Sequence, residues 1–336
     1  MATVGENELL KSVLCTTESN FENNALAVYQ FQYLHNPIYK AFCNFLKGTP
    51  NKVGQLTDIP FLPIQFYKNK QVKCTQFNEA LIFESSGTTG TINSKHYVKS
   101  LALYEASFTK TFTQFYGAAS NYCIIGLLPS YLEKGASSLV YMVNTLIKLS
   151  GNQYSGFYLY NFEELKNVLL SNEQNKQPTL LFGVTYALLD FAEAYPLQLK
   201  YCTVIETGGM KGRKQELSRQ KVHTLLKNNL GITTVHSEYG MTELLSQAYS
   251  YGNGIYNCPP YMRIFLRHED EPLTIKCIAP KTEKISGVVN IIDLANLHSC
   301  AFIATDDVGI LYANNSFEIT GRLQNSDARG CGLMLL

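Results

Sequence analysis

A change of period along the chain restricts its fold more than any other feature. From about residue 80 to 245, short apolar runs at 80–83, 122–128, 180–182, 203–205 and 233–236 alternate with helical patterns near 95–116, from about 136, near 185–195 and near 214–229. Strands separated by helices are the pattern of an α/β domain with a largely parallel sheet, whose ligand sites lie in the loops after strand C-termini. From about residue 262 the helices disappear, and apolar runs at 263–266, 273–278, 288–292, 301–303, 310–312 and 316–320 predict a small antiparallel sheet or barrel. Ahead of both, residues 6–50 are helical and aromatic, with apolar residues in 21–46 at helical spacing and a break at Asn36-Pro37, which reads as packing rather than chemistry. The expected division is an α/β core with N-terminal helices over 1–260 and a β-rich subdomain over 261–336. With 46% hydrophobic residues, both have material for a core.

Charge and cysteine usage narrow the function. Lys plus Arg (28) nearly cancels Asp plus Glu (27), and charged residues make up only 16%, so no field is offered to nucleic acid. The N-terminus is polar and no apolar stretch approaches spanning length, which predicts a cytoplasmic protein without signal peptide or membrane span. The nine cysteines are scattered and never spaced C-x-x-C, against both a disulfide framework and a structural zinc site. Cys43, Cys123 and Cys202, inside apolar runs, read as small buried hydrophobes.

Three loops carry the residue types of nucleotide chemistry. In Phe83-Glu84-Ser85-Ser86-Gly87-Thr88-Thr89-Gly90, followed by Ser94 and Lys95, a strand enters a loop whose glycines let backbone N–H groups turn inward. The hydroxyls of Ser85, Ser86, Thr88 and Thr89 can donate to phosphate oxygens, and Lys95 can add a cation. Neither the Walker nor the dinucleotide spacing is present, and the plain alternative is a surface turn. In Ser237-Glu238-Tyr239-Gly240-Met241-Thr242-Glu243, expected where a strand gives way to a helix, Tyr239 can stack on a purine, Thr242 can donate to a phosphate and Glu243 is a hard oxygen ligand suited to Mg²⁺. An ordinary capped helix N-terminus is the alternative there. In Thr305-Asp306-Asp307-Val308-Gly309, expected between two strands, a carboxylate can accept from a ribose diol, or the acids can simply make a hairpin turn. Arg322, after Gly321, can bring a guanidinium to ribose or phosphate, or lie solvated on the surface.

SSGTTG, then Gly208-Gly209 after the 203–205 strand, then EYGMTE, TDDVG and GR, in this order, resemble the adenylate-forming enzymes over roughly 80–330. The resemblance implies that Ser85, Ser86, Gly87, Thr88, Thr89 and Gly90 hold the phosphates of ATP and that Gly208 and Gly209 flank the adenine. Tyr239 would stack on the base, with Gly240 and Met241 in the same nucleotide-binding segment. Thr242 would touch the α-phosphate, Glu243 would hold Mg²⁺, Asp307 would bind ribose and Arg322 would assist. It also implies a large α/β N-terminal domain with a small antiparallel β subdomain. Ordinary members continue into a mobile C-terminal domain with a catalytic lysine; this chain ends at Leu336, so the expectation is an enzyme lacking that domain, with Lys95 as the lysine of the phosphate loop.

The whole chain is similar to one short branch, the LuxE family of acyl-protein synthetases, in Ile59-Pro60-Phe61-Leu62-Pro63, in 238–248 and in Asp327-Ala328-Arg329-Gly330-Cys331-Gly332-Leu333. That branch implies a cysteine close to the C-terminus that accepts the acyl group. Cys331 is the last cysteine of the chain, and Arg329 nearby would favour its thiolate. The expected activity is ATP- and Mg²⁺-dependent activation of a long-chain fatty acid to its adenylate, capture on Cys331 as a thioester, and delivery to a partner such as an acyl reductase, with Cys331, Lys95 and Thr242 catalytic. The alternatives are a short acyl-CoA or acyl-carrier synthetase or acyltransferase with Cys331 incidental, and a catalytically inactive nucleotide- or acyl-binding subunit.

Overall fold

A computed structural model describes residues 5–85, 92–128, 136–208 and 217–323. The chain divides into two compact units, one made of Met1–Ser107, Thr242–Ser246 and Asn257–Leu336, the other of Phe108–Met241 and Gln247–Tyr256. This cut differs from a boundary at 260. The N-terminal segment goes with the C-terminal strands because Leu62–Pro63 pairs in parallel with Phe302–Tyr312, joining the two ends of the sequence in one sheet.

The unit centred on Phe108–Met241 contains the expected parallel sheet. Its strand order is Gly156–Phe157, Cys123–Leu127, Thr179–Gly183, Cys202–Glu206, Val235–Tyr239 and Ala248–Ser250, all parallel except the last. CIIGL and TLLFG are buried at every position, as strands covered on both faces must be. Between strands run helices Ser138–Ser150, Phe162–Gln174, Thr185–Ala194 and Arg219–Leu230. Three of these start where a side-chain oxygen (Ser137, Asn161 or Ser218) accepts a backbone N–H of the first turn. The last ends at Gly231 in the left-handed region (φ 64°), where a Cβ would lie 2.4 Å from Gln198 Oε1. The sequence reading passed over helix Phe162–Gln174 and both edge strands; strands of two or three residues are too short to show a period.

In the other unit, helices Glu6–Val13, Phe21–His35 and Pro37–Phe45 come first, with Asn36 capping the third (Tyr39 N–H to Asn36 Oδ1, 3.0 Å) and Pro37 filling its first turn, so the Asn36-Pro37 break is real. The C-terminal strands form the expected antiparallel sheet, ordered Phe302–Tyr312, Lys284–Asp293, Met262–Arg267 and Ile275–Lys276, with Phe317–Arg322 pairing the other side of Phe302–Tyr312. Only two residues of 273–278 are strand. Leu81–Glu84 and Lys95–Val98 form a separate antiparallel hairpin. This corrects two expectations. The loop after Glu84 joins antiparallel strands rather than following a parallel one, and the helix expected near 95–116 is a strand followed by helix Leu101–Tyr116, because His96, Tyr97 and Val98 alternate in burial as a strand does. No helix among the described residues is long and apolar enough to cross a membrane.

Candidate active site

Hairpin Leu81–Glu84/Lys95–Val98 closes the base of the Ser/Thr/Gly loop. Ser85 N–H donates to Ser94 O (3.0 Å), and Ser94 N–H donates back to Ser85 Oγ (2.9 Å). Ser86, Gly87, Thr88, Thr89 and Gly90 lie outside the described residues, as do Gly209 and Cys331. Lys95 is half exposed at the hairpin base, with Nζ 3.4 Å from Glu84 Oε1. Ser94, by contrast, is buried, and its side chain hydrogen-bonds the carboxyl of Glu243.

Glu243 is 5% exposed. Burial pushes its carboxyl pKa up, and the nearby charge of Asp307 pushes the same way, while the hydrogen bond from Ser94 and the charge of Arg322 oppose the shift. A carboxylate so placed gains from any cation brought to it. Arg322 Nε donates to Asp307 Oδ1 (2.8 Å), and the two residues are also register partners across their strands. Ser94, Glu243, Asp307 and Arg322, spread over more than two hundred positions of sequence, thus belong to one electrostatic cluster.

Asp307 occupies no hairpin turn. Thr305–Gly309 lies inside the single strand Phe302–Tyr312, where Asn290 pairs with Ala304 and Val288 with Val308, leaving Thr305, Asp306 and Asp307 opposite Val289 alone. The extra residues form a bulge. Side chains fill the interrupted ladder: Arg267 Nη1 donates to Val289 O (2.9 Å) and Asn290 Oδ1 (2.6 Å), Nη2 to Thr305 O (2.6 Å), and Thr305 Oγ1 to Val289 O (2.8 Å). Gln65 Nε2 donates to both oxygens of Asp306 (2.9 and 2.8 Å). Asp306 is thereby occupied, and Asp307 is the acid paired with Arg322.

The EYGMTE segment also departs from expectation. Ser237, Glu238 and Tyr239 are the end of strand Val235–Tyr239, and a turn, not a helix, leads from there to strand Ala248–Ser250. Thr242–Ser246 belongs to the unit that holds Asp307 and Arg322, and within it the segment is pinned residue by residue. His96 Nδ1 lies 2.8 Å from Thr242 O, and Asn296 Nδ2 donates to Glu243 O (2.7 Å). The Asp293 carboxylate accepts from Leu245 N–H (2.9 Å), Ser246 N–H (3.0 Å) and Ser246 Oγ (2.6 Å). Sequence reading missed His96, Asp293, Asn296, Gln65 and Arg267. The available signal was polar residues interrupting an apolar run, as Asp293 and Asn296 interrupt 288–303, since buried polar groups persist only where they are hydrogen-bonded.

The remaining predicted residues lie in the parallel-sheet unit. Tyr239 is half-buried with its ring 5.9 Å from that of Tyr256; Gly240 is exposed and Met241 half-buried. Gly208 is in the left-handed region (φ 76°), and its N–H donates to Glu206 Oε1 (2.9 Å), which also accepts from Thr185 Oγ1. Glu238 is buried on the strand paired with that of Glu206; burial first, then the charge of Glu206, pushes its carboxyl up to about 8.

A parallel sheet with its candidate residues at strand C-termini, together with an antiparallel sheet carrying Asp307 and Arg322, is the fold of the adenylate-forming enzymes. Among solved structures, ATP-bound MatB from Rhodopseudomonas palustris matches with a TM-score of 0.52 at 16% identity over 74% of this chain and 49% of that one. The luciferase-like enzyme of the nonluminescent mealworm Zophobas morio matches at 0.50 and 15%, over 75% and 60%. The chain thus spans about half of MatB. Within this class the assignment narrows further: the model of the acyl-protein synthetase family LuxE matches residues 14–336, and the chain belongs to that family of ligases. A relative, the long-chain-fatty-acid–luciferin-component ligase of Vibrio harveyi, is 24% identical over 347 residues, 91% of this chain and 85% of the relative.

Proposed function

We propose that this chain is a cytoplasmic ligase that activates a long-chain fatty acid with ATP and passes the acyl group through Cys331 to an acceptor protein such as an acyl reductase. The observation that carries the reading is the cluster of Ser94, Glu243, Asp307 and Arg322: a buried carboxylate beside the base of a Ser/Thr/Gly loop, with an acid and a guanidinium held together nearby. Membership of the acyl-protein synthetase family and the name of the Vibrio harveyi relative support the substrate class.

The donor set fits Mg-ATP. Among the described residues no three His, Cys, Asp or Glu side chains group as a metal cage, and Glu243 as a buried carboxylate suits Mg²⁺, which is usually held by one or two carboxylates and the substrate's phosphates. When bound, Mg²⁺ would neutralise charge on the phosphates. In this reading Ser85 to Gly90 and Lys95 hold the phosphates, Thr242 donates to the α-phosphate, and Asp307, aligned by Arg322, accepts from the ribose. Gly208, Gly209, Tyr239, Gly240 and Met241 line the base. A fatty acid carboxylate oxygen attacks the α-phosphorus and the bond to pyrophosphate breaks, giving acyl-adenylate. The Cys331 thiolate then attacks the acyl carbon, the bond to AMP breaks, and a thioester remains. The protein's part is positioning and charge neutralisation.

The test is ATP–pyrophosphate exchange dependent on added long-chain acid, run beside labelling of the protein with the same acid and ATP. Glu243→Ala is expected to lower exchange by about 10²–10³-fold. Cys331→Ser should abolish hydroxylamine-sensitive label while leaving exchange intact; label that survives this substitution would refute the acyl-enzyme step. Cys43, Cys74, Cys123, Cys202 and Cys300 are buried, with thiol pKa values raised by burial, so they should carry no label.

A further inference from the structure

His96 stands one residue beyond Lys95 on strand Lys95–Val98, and the strand's alternation turns the two side chains to opposite sides. Lys95 faces outward, while His96 is 1% exposed. Its two nitrogens have distinct partners. Nδ1 is 2.8 Å from Thr242 O, and a carbonyl only accepts, so Nδ1 carries the hydrogen. Nε2 is then the acceptor, 3.0 Å from Ser299 Oγ, which donates to it. The ring is further fixed by Tyr67, edge-on with centroids 5.8 Å apart, and Ser299 O is itself held by Asn36 Nδ2 (2.8 Å). Burial pushes the imidazole pKa down to about 4, so the neutral ring assumed here is the stable form near pH 7.

The contact joins parts of the chain 146 residues apart: the strand that leaves the Ser/Thr/Gly loop and the peptide unit that precedes Glu243. Rotating the Thr242 carbonyl would turn the backbone N–H of Glu243 with it, since the two share one rigid peptide plane. Asn296 holds the carbonyl on the other side of Glu243, so the residue is fixed at both of its peptide units. We propose that His96, as the neutral Nδ1–H tautomer, is a positioning residue that sets the orientation of Thr242 and Glu243 relative to the phosphate-binding strand. The inference rests on the adenylation reading of this site.

Asparagine and glutamine separate the two nitrogens. The Asn amide can place an N–H where Nδ1 lies, whereas the Gln amide reaches the position of Nε2 and loses the bond to Thr242. His96→Asn should therefore keep acid-dependent exchange close to the wild-type kcat. His96→Gln and His96→Phe should lower kcat by about 10²-fold with a smaller change in the KM for ATP, as expected when a reacting geometry rather than binding is lost. Thermal midpoints of all three variants are measured alongside, and ¹⁵N-edited NMR of wild-type protein should show the His96 proton on Nδ1. Equal activity of the Gln and wild-type proteins, activity losses that merely follow the midpoints, or a proton found on Nε2 would each overturn the proposal. Absence of exchange in the wild-type protein would instead overturn the adenylation reading, and the His96 role with it.

Discussion

Glu238 is a carboxyl group for which the folded chain makes ionisation costly. Its pKa, raised to about 8 by burial and by the charge of Glu206, lies far above the ordinary carboxyl value of 4.5. The native state therefore keeps a proton that the unfolded chain releases between these values. The stabilisation is fully present below pH 4.5 and is lost as pH rises towards 8. Glu238→Gln reproduces the protonated form at every pH. The variant is expected to match the wild type near pH 5 and to exceed it in stability at pH 8, measured as the difference between their denaturant midpoints at each pH; parallel profiles would refute the assignment. Sequence could mark Glu238 as a neighbour of Tyr239, but the burial that shifts it depends on strand Ala248–Ser250, which has no readable period of its own.

Secondary structure was legible where a period ran long enough and misread where one residue had two possible meanings. The buried strands Cys123–Leu127 and Thr179–Gly183 and the helices after them stand where their apolar patterns put them. Gly309 instead suggested a turn. It is needed for close approach within a strand, since a Cβ there would lie 2.4 Å from Glu318 O. Asp307 consequently sits in a bulge whose backbone acceptors are satisfied from Arg267, a residue 6% exposed and 40 positions earlier. Arg267→Met keeps the volume and removes the donors to Thr305 O and Asn290 Oδ1, while Val289 O keeps the Thr305 hydroxyl. With each buried unsatisfied acceptor costing about 1–3 kcal/mol, a loss of about 3 kcal/mol is expected. Because the bulge carries Asp307, the KM for ATP should rise in the same variant, whereas Arg263→Met, on the same strand with its guanidinium paired to the exposed Glu18, should change little in either measurement.

Across the whole molecule, the order of residues in sequence conceals which parts support one another. Of the candidate site, the loop motifs were legible because the ligand chemistry proposed for them selects residue types. The support was not, because it is carried by backbone groups that any sequence has. Gln32, fully buried in helix Phe21–His35, donates from Nε2 to Asn296 O (2.8 Å) and Leu297 O (3.1 Å) and accepts from Ala301 N–H (2.9 Å). It thereby holds the segment from which Asp293 and Asn296 reach residues 243–246. An N-terminal stretch that reads as packing alone is thus one step removed from Glu243. Gln32→Leu preserves the shape, leaves the Ala301 N–H without its acceptor and removes one of two donors from Asn296 O, which keeps Ser299 N–H, and from Leu297 O, which keeps Cys74 Sγ, with an expected loss of about 1–3 kcal/mol in the unit that contains them. Hydrogen exchange can localise this loss. Amides of residues 293–301, and the Leu245 and Ser246 amides that Asp293 accepts, should exchange faster, while strands Thr179–Gly183 and Cys202–Glu206, in the unit with its own core, should keep their protection. Uniform acceleration through both units would mean that the chain opens as a single cooperative body and that Gln32 gives only general stability. A local change accompanied by reduced adenylation would connect the first helices to the candidate site through the 293–301 segment.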